Sequence, residues 1–136
     1  MVELLQEFLR DGEHLTLGSS RSFQLRESDC FWFVAHGTVD LFSIPVRQGK
    51  AVGPRDHLCR VQERNIFFSL SAADDDENLV FEAVGFPDTE VIKVKLSRLQ
   101  ELAKGDRHVE ILSNLVDTWV VSLCRGVSFG RVTLDV

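Results

Sequence analysis

No apolar run in these 136 residues approaches the roughly 20 that a membrane-spanning helix needs. The first ten residues carry Glu3 and Glu7 and no long apolar core, so they do not read as a signal peptide. Cysteine is scarce. Cys30, Cys59 and Cys124 form an odd set at wide spacing, without a CxxC pair or a matching histidine cluster. That pattern disfavours a disulfide framework and a zinc site, and it fits reduced, mostly buried thiols in a cytoplasmic protein. Basic residues are outnumbered, 15 against 21 acidic, for a net charge of −6. A phosphate-backbone binder wants a basic stripe, and none stands out, so nucleic acid is not an expected partner.

Catalytic signatures are missing as well. There is no glycine-rich phosphate loop ending in Gly-Lys-Ser/Thr, no Gly-x-Ser-x-Gly elbow and no histidine–glutamate spacing of a zinc protease. A cupin metal site would want a clustered histidine pair with a carboxylate, but the four histidines are scattered. His36 sits beside a turn glycine. His14 and His57 fall on separate strands that could meet in space. The acidic run Asp74–Glu77 lacks the alternating oxygen ligands and glycine of a calcium loop and reads as a solvated tip. Gly18-Ser19-Ser20-Arg21 lies between short strands, not before a helix, which makes it a poor anion nest. Trp32 and Trp119 read as packing residues. These absences point to a non-enzymatic domain with no cofactor and no metal.

Length and an ordinary composition, 44% hydrophobic and 26% charged, describe one globular domain able to bury a core without a metal or disulfide. Its centre is Phe31–Ser43, two strand-favouring runs joined at Gly37, which supplies the positive φ of a tight hairpin. Phe31–Ala35 is apolar at every position, as in a strand covered on both faces. Before it, the spacing predicts a helix over Val2–Leu9 with Leu5, Phe8 and Leu9 on one face. Short strands follow over His14–Leu17 and Ser22–Leu25. After it come a loop from Pro45 to Pro54, a strand over 56–62, and the compact apolar segment Ile66–Leu70. The 56–62 strand puts Leu58, Arg60 and Gln62 on one face, and His57, Cys59 and Val61 on the other. Leu79–Val84 and Glu90–Val94 read as a second hairpin about Gly85, Pro87 and Asp88. Ser97 is placed to cap a helix. A longer helix from Arg107 to about Gly126 carries a broad stripe including Leu112, Leu115, Val116, Trp119 and Leu123, wide enough for a core and for a further contact. The expected architecture is mainly β: a jelly-roll barrel over about 13–95, an N-terminal helix, and C-terminal helices over about 97–127.

The order helix, Gly12-Glu13, strands, Phe31-Trp32-Phe33-Val34-x-x-Gly37-x-Val39-Asp40-Leu41-Phe42, loop, Ile66-Phe67-Phe68-Ser69-Leu70 resembles a cyclic-nucleotide-binding domain, over roughly Val2 to Val127. In that family the phosphate-binding cassette reads Phe-Gly-Glu, with an arginine further on. Here Phe68 stands at the glycine and Ser69 at the glutamate, and Glu77 falls near the arginine. The resemblance therefore implies the fold with a degenerate pocket at Phe67, Phe68, Ser69, Leu70 and Glu77, unsuited to a cyclic phosphate.

Three segments, Gly37–Phe42, His57–Val61 and Ile66–Leu70, together with Trp119, Val120 and Leu123, are similar to the N-terminal cytoplasmic domain of bacteriocin-type ABC transporters that export peptides with nitrile-hydratase-like leaders. That similarity implies a fragment of a longer chain, held at the cytoplasmic face of the inner membrane, acting as a regulatory or substrate-docking domain. Implied partners are the transporter's own transmembrane and ATPase domains, a leader peptide, or a second copy in a homodimer. Leu112, Val116, Trp119 and Leu123 would carry the interface. The pocket would hold a leader peptide or another domain, or be filled by Phe67 and Phe68 themselves. The alternative is a small-molecule sensor domain of a regulatory protein, with a cyclic nucleotide among the candidate ligands.

Overall fold

The computed structural model describes residues 2–18, 22–72, 79–126 and 132–134. Helix α1 (Val2–Asp11) is followed by β1 (Glu13–Leu17), β2 (Ser22–Gln24), β3 (Cys30–His36), β4 (Val39–Arg47), β5 (Lys50–Ala51), β6 (Asp56–Val61), β7 (Ile66–Phe68), β8 (Leu70–Ala72), β9 (Leu79–Gly85) and β10 (Thr89–Lys95). Helices α2 (Leu96–Ala103) and α3 (Val109–Gly126) and strand β11 (Val132–Leu134) complete the order. One antiparallel sheet runs β1-β10-β3-β7. The other runs β2-β9-β4, with β5 and β6 both on the far side of β4. Strands β8 and β11 pair with each other. This is the expected mainly β jelly roll with helices at both ends.

Strand β3 explains its own composition. Antiparallel partners share a face, so Phe31 and Phe33 project with their partners Phe68 and Ile66. That outer face is roofed by helices: Phe8 of α1 meets Phe31 and Phe33, and Trp119 of α3 meets Phe68. Trp32 and its partner Phe67 project the other way, into the space between the sheets. There they meet Phe23, whose partner Ala83 is fully buried in the second sheet. A strand covered on both sides has no solvent face to make polar.

Neither expected hairpin is one. β3 pairs with β10 and β7, whereas β4 pairs with β9, β6 and β5. Gly37, at φ 90°, therefore turns a corner from one sheet to the other. β9 and β10 likewise lie in different sheets, joined across Gly85–Asp88. The two corners hold each other: Phe86 N donates to Thr38 O at 2.9 Å, Thr38 N donates to Thr89 Oγ1 at 3.2 Å, and that hydroxyl donates back to Thr38 O at 3.1 Å. A Cβ on Gly37 would lie 2.4 Å from Thr89 Oγ1. Local turn chemistry marks a reversal, but it does not say which sheet the chain enters next.

Smaller differences have equally local causes. The Pro45–Pro54 stretch is not all loop: β4 runs through Pro45 to Arg47 and turns into β5 at Gln48 and Gly49, both with positive φ. Pro45 pairs in register only with Leu79 of β9; it falls between the β6 partners, which end at Ser43, and the β5 partners, which start at Val46, so its missing N–H interrupts neither pairing. Helix α1 buries Leu4 and Phe8, one turn apart, while Leu9 is 49% exposed. Helix α2 starts at Leu96 with Lys95 at the cap and no side-chain hydrogen bond there, so Ser97 is inside the helix.

Candidate functional site

The residues aligned with the phosphate cassette are core. Phe67 and Phe68 are fully buried, Ile66 and Leu70 nearly so. The Phe67 ring stacks on Trp32 at 5.4 Å with an interplanar angle of 12°. Its neighbour Phe68 lies across the strand, 5.7 Å from Phe31 and 6.2 Å from Trp119. Ser69, only 2% exposed, donates its hydroxyl to the carbonyl of Glu27. A side chain so engaged does not replace the ribose-holding carboxylate of a working cassette. Glu77 lies outside the described residues, as does the rest of the acidic run and the Ser19–Arg21 turn.

The interface stripe needs correction. Leu112, Trp119 and Leu123 are 3%, 2% and 2% exposed, packed with Leu115 into the chain's own core, and Val116 is half-buried against it. The stripe is already used within the chain: α3 packs on β6 and β7, with Trp119 on Phe68, while α1 covers Phe31 and Phe33. A partner meeting α3 finds Glu110, Asn114, Asp117 and Val121 instead.

A polar cluster on the other sheet escapes sequence reasoning. Asp40, with its side chain 12% exposed, accepts from Arg60 Nε at 2.9 Å and Nη2 at 3.3 Å, and lies 2.9 Å from His57 Nε2. Strict alternation puts residues 57 and 60 on opposite faces. The β4–β6 register slips between Leu41 and Phe42, where Leu41 pairs Cys59 and Phe42 pairs His57. Leu58 is the extra residue of that bulge, which brings His57 and Arg60 to the same carboxylate. Burial pulls the Asp40 carboxyl up, but hydrogen bonds from Arg60 and then His57 outweigh it and hold it below the ordinary range. Arg60 also lies over the Phe86 ring, 4.8 Å from its centroid. Nothing in a single strand's pattern announces a bulge; Asp40 amid apolar neighbours is the one visible hint.

The remaining histidines stay apart. His14 Nε2 is 3.7 Å from Glu90, and exposed His36 pairs with Glu63 at 2.9 Å, so His14 and His57 do not meet. Glu27, Asp29 and Cys30 bring three donor atoms within 4.8 Å of one another. However, Lys93 Nζ lies 2.6 Å from Glu27, and burial followed by the Asp29 charge pushes the Cys30 thiol up to about 11. A metal would have to displace an ammonium and deprotonate that thiol. A cavity of about 210 Å³ lies elsewhere, between the β6–β7 turn and α3.

Solved structures share this architecture at low identity. CprK complexed with OCPA superposes with a TM-score of 0.63 at 13% identity, over 90% of this chain and 55% of that one. The heme domain of CooA from Carboxydothermus hydrogenoformans gives 0.61 at 13%, over 92% and 85%. The Thermus thermophilus catabolite activator protein gives 0.56 at 18%, over 92% and 55%. The chain thus spans a little over half the length of the CprK and catabolite activator chains. At these identities the likeness is one of fold, the cyclic-nucleotide-binding-like jelly roll. No family model and no curated protein matches the sequence.

Proposed function

We propose that this chain is a non-catalytic, ligand-sensing domain of a regulatory protein, whose effector is not a cyclic nucleotide held in the usual phosphate cassette. One observation carries the reading. Strand β7 places Phe67 between the sheets and Phe68 beneath Trp119, so the barrel interior is a single strand away from helix α3. A change on one side of that strand reaches the other through packed rings, which do not deform continuously. Further support comes from the neighbours. Their names describe a protein complexed with OCPA, a heme domain and a catabolite activator, so one fold carries different ligands. The exporter-docking role rests on short motifs, with no matching relative behind it.

Thermal melting of the chain tests this, with cyclic AMP and cyclic GMP at millimolar concentration beside pools of small metabolites. A ligand at about a hundred times its Kd adds about 2.7 kcal/mol, which is several degrees in a domain of this size. The expected outcome is no rise with either cyclic nucleotide and a clear rise with at least one pool. A rise with cyclic AMP or cyclic GMP would overturn the exclusion of cyclic nucleotides. No rise with any pool would remove sensing.

A further inference from the structure

The cavity between the β6–β7 turn and α3 has the make-up of a small-ligand site. Its apolar floor is Val61, Ile66 and Trp119, which are 4%, 1% and 2% exposed. Around that floor stand two amides, Gln62 and Asn65, and two hydroxyls, Thr118 and Ser122. Thr118 and Ser122 are one helical turn apart and so share a face of α3. Among the described residues Arg60 is the one charged lining side chain; no carboxylate among them lines the space, and Asp40 reaches the guanidinium from outside it.

Arg60 is held in advance. Asp40 takes its Nε and Nη2, and Phe86 lies under its plane, while Nη1 has no partner among the described residues. A guanidinium already fixed in place loses little freedom when it takes a further acceptor. The turn beside it is equally fixed: Arg64 N donates to Val34 O at 2.7 Å, Val34 N to Asn65 O at 2.9 Å, and Asn65 N to Gln62 O at 3.1 Å. At about 210 Å³ the cavity is smaller than the roughly 300–1,000 Å³ of sites for drug-sized ligands, which suits a small molecule.

We propose that this cavity binds a small organic carboxylate with an aromatic or branched apolar body. The carboxylate takes the free edge of Arg60 and the amide donors of Gln62 and Asn65, and the body covers the indole of Trp119 and the side chain of Ile66. The proposal deepens the sensing reading and rests on it for its consequence. One wall of the cavity is a turn fixed to the barrel and the other is α3, so an occupant ties the helix to the barrel.

The test is amide-resolved NMR titration of the labelled 136-residue chain with benzoate and nicotinate, beside their neutral counterparts benzamide and nicotinamide, up to about 10 mM given the small ligand size. The acids are expected to shift resonances over residues 60–66 and 118–122, including the Trp119 indole N–H, with the amides at least about tenfold weaker. Arg60→Gln removes the charge and leaves a shorter polar side chain; Ser122→Phe fills the space. Each should weaken acid binding at least about tenfold, with the spectrum unchanged away from the cavity and, for Arg60→Gln, away from Asp40, His57 and Phe86. If Ser122→Phe fails to fold, Arg60→Gln decides alone. Failure of both acids to bind, equal binding of the amides, or shifts confined to other residues would overturn the site. Binding at the cavity without added hydrogen-exchange protection along α3 upholds the site and overturns sensing. A metabolite pool that raises Tm while both acids leave the cavity untouched does the reverse.

Discussion

Replacing Phe67 with alanine removes the ring that fills the space between the sheets. Phe67 is fully buried, stacked on Trp32 at 5.4 Å and 6.3 Å from Phe23. Core Phe→Ala changes cost about 3–5 kcal/mol. Two aromatic pairs are lost as well, and each adds about 0.5–1.5 kcal/mol beyond buried area. The expected loss therefore lies toward the upper part of that range, about 4–5 kcal/mol, a large share of a typical domain stability of about 5–15 kcal/mol. Urea unfolding followed by tryptophan fluorescence measures it, because the stacked Trp32 reports directly on the missing ring. The slope against urea should stay near the wild-type value, since the surface exposed on unfolding barely changes. The new cavity is apolar, walled by Trp32 and Phe23, and should stay dry, so benzene should recover part of the lost midpoint. A loss below about 1.5 kcal/mol would refute the filled interior.

Three further outcomes follow from the geometry. Asp40→Asn should lower neutral-pH stability by about 1–2 kcal/mol. The folded Asp40 pKa lies below its unfolded value, so its stabilisation is full above the unfolded carboxylate pKa of about 3.9 and is lost as pH falls through the folded pKa. The asparagine variant should therefore show a flatter acid limb in a pH series of melts, and an unchanged limb would contradict the cluster. Gly37→Ala should cost more than about 1 kcal/mol, because φ is 90° and the new methyl would meet Thr89 at 2.4 Å; a neutral result in chemical denaturation would mean the corner is loose. With a disulfide reagent at pH 8, exposed Cys124 should react at once, whereas Cys30 and Cys59, both buried and with burial pushing their thiols up to about 11 and about 12, should wait for denaturant. Three fast thiols would contradict the burial.

Strands and terminal helices are legible in the sequence because their signals are local. Phe31–Val34 is apolar at every step and lies in a strand covered on both sides, and the Leu112–Leu123 stripe marks the buried side of α3. Three things are not legible. The partner sheet of each strand depends on contacts far along the chain, so the Gly37 and Gly85 reversals look like hairpins. The bulge at Leu58 adds one residue without a mark in composition, and it alone brings His57 and Arg60 to Asp40. The destination of a broad apolar stripe is equally silent: the width of the α3 stripe suggests two partners, yet the chain's own β6 and β7, with Phe68 against Trp119, occupy most of it. For the candidate site, Phe68 and Ser69 at the cassette positions are readable as substitutions. The cavity is not, because its lining comes from two stretches more than 50 residues apart.

The crossed corners also bear on how the chain is made. Because β3 and β4 part into different sheets, few strands can pair with a close neighbour in the chain. β1 waits for β10, with Glu13 opposite Lys93, and β2 waits for β9, with Ser22 opposite Val84. A nascent chain leaving the ribosome can join β4 to β5 and β6, and later β3 to β7, but it leaves β1 and β2 unpaired until β9 and β10 emerge. Loop closure on that scale makes folding slow, and the aromatic run of β3 is exposed meanwhile. Synthesis past Lys95, more than the strength of any one strand, sets the moment when both sheets can close.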